Sequence, residues 1–348
     1  MIGSVAWYRS SAAAPAVKRS LKRCVRDWVR GCLPEPDVRG RTIVLSSRQT
    51  FPKVSWSGLR SEFHGVFSEF HSVLGALAYA KAHESTGVRV DFRSPLYVEP
   101  DRGPNWWTYF FEDARLSLDS RIPADDGEVH VNGILAKYGR YGGFSDLVHG
   151  STPYFYPMTY GISRPALNRL LTAHLRVRGE IHEEVARFVA ARFEPGAYVV
   201  GVHYRGTDAT HKWTGTLAHY RTERVPYRAY ADEVRVVLEA ASPRAYQVFV
   251  ATDEIDCVEY LREEFGDRLV CVDESPRVAA ASQAIHLDRT LPVSNYQKGR
   301  SALVDCLLLA ATSYLVKGRS NLSDASLAFN PSLPYSFYSD VPIPQADA

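Results

Sequence analysis

The chain has 348 residues, a formal net charge of +2, and side chains that are 45% hydrophobic and 23% charged. Such a length exceeds one ordinary small core and sets an expectation of two domains, while the composition excludes wholesale disorder. The small net charge excludes a dedicated nucleic-acid binder but leaves room for a local basic site, and no apolar run reaches the length of a membrane span.

The first residues lack the long apolar core of a secretory signal, since Ala12–Val17 is short and interrupted by Pro15. Lys18–Arg30 then carries six basic residues and one acid, with Val17, Leu21, Cys24, Val25, Trp28 and Cys32 at helical spacing. This predicts a basic amphipathic helix. It either docks on its own protein with a solvated basic face or makes weak peripheral contact, through residues 18–30, with an anionic membrane surface. Leu33-Pro34-Glu35-Pro36-Asp37 breaks the helix and reads as a linker, so residues 1–37 form a separate N-terminal segment. The five cysteines (Cys24, Cys32, Cys257, Cys271, Cys306) are scattered, and no Cys-x-x-Cys pair suggests zinc. Three sit in apolar runs, where a free thiol packs as a small hydrophobe. A reducing cytoplasm is the simplest location.

Residues 38–192 read as an N-terminal α/β lobe, assigned to the acceptor side. Arg41–Ser46 is a strand. Gly65-Val66-Phe67-Ser68 precedes a helix in which Ser68 serves as N-cap and Phe70, Val73, Leu74, Leu77 and Ala80 form the buried face. Val88–Phe92 is the next strand. Asn105–Phe111 is dense in aromatics, which can floor a sugar site but more often build a core. Gly139–Pro157 is an irregular connection, and Pro165–Ala191 contains two helices.

Residues 193–348 alternate strands and helices at βαβ spacing, which predicts a Rossmann-like parallel sheet with helices on both faces. The strands are Tyr198–His203, Tyr246–Ala251, Leu269–Val272 and Tyr314–Val316. A long polar loop, Gly206–Val225, follows the first. Helices run from Pro226 to Ala240, where a proline without N–H is harmless at the first turn, from Glu254 to Phe265, from Gly299 to Ala311, and from Ser323 to Ala328.

Four clusters in this half carry chemistry. The stretch Tyr198–Asp208 begins as this strand and ends in His203, Arg205, Thr207 and Asp208. His203 and Arg205, two apart on an extended chain, share a face. A guanidinium matches phosphate bidentately, and Asp208 can hold that fork or receive an acceptor's hydroxyl proton. Gly318-Arg319-Ser320-Asn321-Leu322-Ser323-Asp324 follows a strand and opens a helix. It is either a phosphate cradle of helix N-terminal N–H groups, with Ser320, Asn321 and Ser323 adding donors, or simple N-capping by Ser323. Asp305 lies inside an apolar helix, where an acid is costly unless paired. It either accepts from the N–H edge of a guanine or pairs with Arg300 or another element. Ala251-Thr252-Asp253-Glu254 is an acidic helix start on the same strand edge, with Thr252 or Asp253 as cap. Gly-x-Gly-x-x-Gly, the P-loop pattern, His-Glu-x-x-His and Asp-x-Asp are all missing from the sequence. No cofactor or divalent metal is therefore expected. A departing diphosphate would be stabilised by Arg205 and a helix N-terminus.

The ordered set His203-x-Arg205-x-Thr207-Asp208, Ala251-Thr252-Asp253, and Asp305 followed by a strand and Ser320-Asn321-Leu322-Ser323 resembles the α1,6-fucosyltransferase family. That family includes the nodulation fucosyltransferases and is more distantly similar to protein O-fucosyltransferases. The resemblance covers Tyr198–Phe329 well and residues 1–190 thinly. It implies a two-lobed, GT-B-like glycosyltransferase that transfers fucose from GDP-fucose to a glycan hydroxyl with inversion and without metal. It places Arg205 on the diphosphate, His203 and Asp305 on the nucleotide, and Ser320–Ser323 around the phosphates. Two departures stand out. The family has a second basic residue where this chain has Gly206. Its catalytic glutamate has no counterpart in Ala209-Thr210-His211-Lys212-Trp213, which leaves His211, His219 and Glu223 as candidate bases.

Overall fold

A computed structural model of the chain describes residues 7–9, 37–47, 53–55, 58–60, 65–118, 127–131, 164–206, 225–280, 282, 284–318 and 320–338. The basic stretch 18–30, the connection 139–157, and Thr207, Asp208, His211, His219, Glu223 and Arg319 lie outside the described residues. In chain order the elements are β1 (Trp7–Arg9), β2 (Thr42–Ser46), β3 (Lys53–Ser55), β4 (Gly58–Arg60), α1 (Val66–Ala82), β5 (Gly87–Asp91), β6 (Arg115–Ser117) and β7 (Glu128–Val131). They continue as α2 (Arg164–His174), α3 (Gly179–Arg192), β8 (Tyr198–Tyr204), α4 (Tyr227–Ala241), β9 (Tyr246–Thr252), α5 (Ile255–Phe265) and β10 (Leu269–Val270). The last are α6 (Asn295–Ala310), β11 (Tyr314–Lys317), α7 (Asn321–Phe329) and β12 (Tyr335–Tyr338). Two compact units result: one of Ala16–Gly179 with Ser294–Gly299, the other of Met1–Pro15, Glu180–Val293 and Arg300–Ala348.

The first unit is built on a four-stranded sheet in the order β6-β5-β2-β7, with β2 parallel to β5 and β7 and β6 antiparallel to β5. Helix α1 packs against β2 and β5. Its predicted apolar face, Phe70, Val73, Leu74, Leu77 and Ala80, is fully buried. The helix starts earlier than expected: Gly65, not Ser68, occupies the cap position and makes no side-chain cap bond. Burial of Val66 and Phe67 draws the first turn into the core. The aromatic run 105–111 is core. Trp107 stacks on Phe111 at 3.9 Å and Phe92 on Trp106 at 5.2 Å. Asn105 anchors the run, accepting from the Phe92 N–H at 3.0 Å and donating to the Val90 carbonyl at 2.7 Å.

The second unit is organised by a six-stranded sheet in the order β1-β12-β11-β8-β9-β10, parallel throughout except for β1. Alternation along β8 divides its side chains between two faces. Val200, Val202 and Tyr204 join Val248, Val250 and Val316 in one cluster with Tyr230, Val234 and Val237 of α4 and Cys257, Val258 and Leu261 of α5. On the opposite face, Phe188 of α3 meets Phe249 of β9 edge-on at 5.9 Å. The end of α6 crowds β8 at Gly201. The sheet thus has helices on both faces, as expected.

Several element starts differ from the sequence reading, each for a local reason. Helix α6 begins at Asn295 rather than Gly299 because Ser294 and Gln297 form a reciprocal capping box: the Ser294 N–H donates to Gln297 Oε1 at 3.0 Å and the Gln297 N–H to Ser294 Oγ at 3.1 Å. Helix α7 begins at Asn321, and its cap is Ser320, not Ser323. For α5 the cap position is Glu254, without a side-chain cap bond; Thr252 Oγ1 instead accepts from the Glu254 N–H at 3.2 Å. Strand β12 extends the sheet beyond the strands read from sequence. Its Ser336 is buried, bonded to the Tyr314 hydroxyl at 2.9 Å and donating to Glu233.

Gly201 is needed for close approach rather than for an unusual backbone angle. A Cβ there would lie 2.9 Å from Thr312 Oγ1, 3.0 Å from its Cγ2 and 3.2 Å from Leu309 Cδ2. Gly201→Ala is expected to destabilise the protein by about 1–3 kcal/mol through overpacking, with partial relief from Thr312→Ser. Denaturant unfolding of the two variants and their combination measures this.

Candidate functional site

Strands β8, β9 and β11 run parallel and adjacent, so their carboxyl ends share one edge of the sheet. Ligands of open α/β sheets bind at that edge. In register, His203 sits opposite Ala251 on one side and Lys317 on the other. The chain then leaves the edge as Arg205-Gly206 from β8, Asp253-Glu254 from β9 and Gly318 from β11. Three of the four sequence clusters meet here. The fourth, around Asp305, is on α6, whose Cys306 thiol donates to the Leu322 carbonyl at 3.5 Å and whose Cys306 carbonyl accepts from Ser326 Oγ at 2.9 Å. Those contacts tie α6 to the first turns of α7.

His203 is buried, and its Nδ1 has no hydrogen-bond partner among the described residues. Burial, followed by the charges of Lys317 and Arg205, lowers its pKa to about 3, with Asp324 opposing. The imidazole is therefore neutral across the physiological range. It brings a hydrogen-bonding ring to the edge rather than a second positive charge for a dianion. Arg205 is half-buried immediately beyond β8. Asp253 is not a helix cap: its Oδ1 accepts from the Gly206 N–H at 3.0 Å, which joins the ends of β8 and β9.

Ser320 has an extended backbone and caps α7, its Oγ accepting from the Leu322 N–H at 3.2 Å. Ser323 is fully buried and its hydroxyl donates to the Ser320 carbonyl at 3.3 Å. Both hydroxyls thus serve the helix start, and Asn321 forms its first residue. The sequence reading missed a partner of this turn. Lys317, fully buried at the end of β11, forms an ion pair with the buried Asp324 of α7. Its ammonium also lies 5.2 Å from the centre of the Phe337 ring. A lysine closing an apolar strand, with an aspartate seven residues on in an apolar helix, was the available signal.

Asp305 is buried and accepts from Ser275 Oγ at 3.3 Å. The alternative of a pairing with Arg300 does not occur. Residues five apart do not share a helix face, and Arg300 pairs instead with Glu184 of α3. Burial raises the Asp305 pKa to about 7, against the opposing charge of Arg277 and the Ser275 bond. Among the described residues, no group of three or more His, Cys, Asp or Glu side chains is arranged to hold a metal ion, and no helix is long and apolar enough to cross a membrane.

No known protein-family profile and no curated protein sequence matches the chain. Solved structures similar to it include fucosyltransferase NodZ from Bradyrhizobium, with 16% identity, a TM-score of 0.47, and coverage of 82% of this chain and 91% of that one. A NodZ α-1,6-fucosyltransferase soaked with GDP-fucose has 16% identity and a TM-score of 0.48, with 86% of this chain and 99% of that one covered. POFUT1 in complex with GDP has 12% identity and a TM-score of 0.45, with 86% and 99% covered.

The raised pKa of Asp305 has a consequence for stability. The unfolded chain releases this proton near the ordinary carboxyl value of 3.8, whereas the folded chain keeps it up to about 7. Between those limits the native state binds more protons, so its stability falls as pH rises. Asp305→Asn removes this contribution. The stability of the wild type relative to Asp305→Asn should fall by on the order of a few kcal/mol from pH 4 to pH 7 and then level off. Urea unfolding of both proteins across that range measures the difference.

Proposed function

We propose that this chain is an inverting, metal-independent glycosyltransferase that moves fucose from GDP-fucose to a glycan hydroxyl. One observation carries the reading: the segments that resemble fucosyltransferase motifs, distant in sequence, end on adjacent parallel strands at one sheet edge. A cytoplasmic location fits the buried thiols of Cys257, Cys271 and Cys306, which form no disulfide among the described residues, and residues 18–30 supply a basic stretch for weak contact with an anionic membrane surface.

In this mechanism Arg205 donates to the diphosphate as the bond from the sugar's anomeric carbon to the phosphate oxygen breaks. The acceptor oxygen attacks the opposite face of the same carbon, which inverts it. Charge builds on the diphosphate in the transition state, so a preorganised guanidinium accelerates the step itself. The N-terminal turn of α7, Ser320 to Ser323, contributes its dipole to the same charge. His203 offers its neutral ring to the nucleotide, and Asp305 accepts from guanine N–H donors. Asp208 orients Arg205 or takes the acceptor's proton; His211, His219 and Glu223 are the other candidates for that proton. A second reading, a protein that binds the nucleotide sugar without catalysis, is favoured by Gly206 in place of a second basic residue and by the lack of a glutamate in Ala209–Trp213.

The direct test is turnover of GDP-fucose and GDP-mannose with a panel of glycan acceptors in EDTA, followed as released GDP and glycosylated product. GDP-fucose is the expected donor, and Arg205→Ala should lower kcat by roughly 10²–10³-fold. Near-normal turnover by Arg205→Ala would overturn its role. Faster use of GDP-mannose would move the assignment to another GDP-sugar. GDP binding without product on any acceptor would select the non-catalytic reading.

A further inference from the structure

Glu254, two residues beyond β9 at the cap position of α5, is fully buried, and two separate chain segments meet on it. One is Gly206, the residue after Arg205. Its Cα faces the carboxylate so closely that a Cβ would overlap Glu254 Cδ and both of its oxygens. The other is Tyr227, the first residue of α4, whose hydroxyl donates to Glu254 Oε2 at 2.6 Å. Neighbouring contacts reinforce both. Asp253 Oδ1 accepts from the Gly206 N–H at 3.0 Å. Tyr204 donates to the Val225 carbonyl at 3.0 Å, and its ring meets Tyr227 edge-on at 4.9 Å. Gly206 is thus bonded to Asp253 and packed on Glu254, Tyr227 is bonded to Glu254, and Val225 is bonded to Tyr204.

Glycine at 206 serves close approach, the second use of a missing Cβ. A carboxylate taken fully out of water is costly unless something holds it, and here it fills the volume in which any other side chain at 206 would begin. Glu254 in this position and a basic residue at 206 are mutually exclusive. Beside Arg205 the backbone of Gly206 therefore lies directly on a buried acidic side chain.

We propose that Glu254 is a positioning residue of the donor site: packed on Gly206 and held by Tyr227, it fixes the backbone turn that aims Arg205 at the donor's diphosphate. This rests on the donor reading above. Misplacement of a binding group by about 1 Å can cost on the order of 100-fold in rate, so the wedge should be visible in both binding and turnover.

The test is calorimetric titration of GDP into the full chain in EDTA, for the wild type, Glu254→Gln, Glu254→Ala, Tyr227→Phe, Gly206→Ala and Gly206→Ala/Glu254→Ala, with circular dichroism as the control for folding. Gln keeps the shape and the acceptor for Tyr227, so Glu254→Gln should bind GDP nearly as the wild type does. Glu254→Ala should weaken binding by on the order of 10–100-fold, with a smaller loss in the same direction for Tyr227→Phe. Gly206→Ala should weaken binding strongly, and the double variant should bind more tightly than Gly206→Ala alone, a non-additivity expected only of groups in contact. If Glu254→Ala alone fails to fold, Glu254→Gln, Tyr227→Phe and the double variant still decide the matter. Wild-type affinity in Glu254→Ala, or in Gly206→Ala, would overturn the positioning role while leaving the donor reading intact. Absence of GDP binding by the wild type would overturn both.

Discussion

Parallel pairing of β8 between β9 and β11 is the constraint on which the rest depends. Hydrogen bonding in register makes His203 a neighbour of both Ala251 and Lys317. Because the strands are parallel, whatever follows each of them emerges at the same edge. Residues 203–206, 252–254, 317–318 and 320–323 are therefore assembled by backbone geometry before any side chain contributes. Close packing then fixes the edge from behind. Gly201 admits Leu309 and Thr312 from the end of α6, and Gly318 faces Tyr230 of α4 so closely that a Cβ there would overlap the tyrosine hydroxyl.

Burial governs the electrostatics of this edge. Away from water a charge persists only with a partner or strong hydrogen bonds. Lys317 has Asp324, and Glu254 has the Tyr227 hydroxyl. His203, lying between two cations, gives up its proton, while Asp305 holds its own up to about 7. The half-buried Arg205 is the cation of this group that retains access to solvent. Among the described residues of this edge, the charge of Lys317 is met by Asp324, and the neutral His203 adds none.

The parallel sheet was legible because its strands are runs of Val, Leu and Phe that alternate with helical patterns, and such burial on both faces is written locally. Helix starts were less legible. Ser294-Asn295-Tyr296-Gln297 is a capping box in plain view, yet the apolar run from Leu303 drew attention to a later start. Strand β12 was missed because Ser336 interrupts its apolar pattern, and that serine is tolerated only by Tyr314 and Glu233, which lie far away in sequence. The candidate site divides in the same way. His203, Arg205 and Asp253 were legible as neighbours at one sheet edge because they close or follow a recognisable strand. Glu254 and Lys317 looked like an ordinary helix start and an ordinary strand end. Their burial depends on Gly206, Tyr227 and Asp324, which no local window contains. The pairing of Asp305 with Ser275 rather than Arg300 was equally non-local.

The central claim, a metal-free site for a guanine nucleotide at the carboxyl edge of the sheet, is tested most directly by thermal unfolding of the full chain with GDP, UDP or ADP in EDTA. Ligand at about 100 times its Kd adds roughly 2.7 kcal/mol to stability, which moves the midpoint by several degrees in a protein of this size. A shift with GDP alone is the expected result. No shift with GDP, or equal shifts with all three nucleotides, would contradict it.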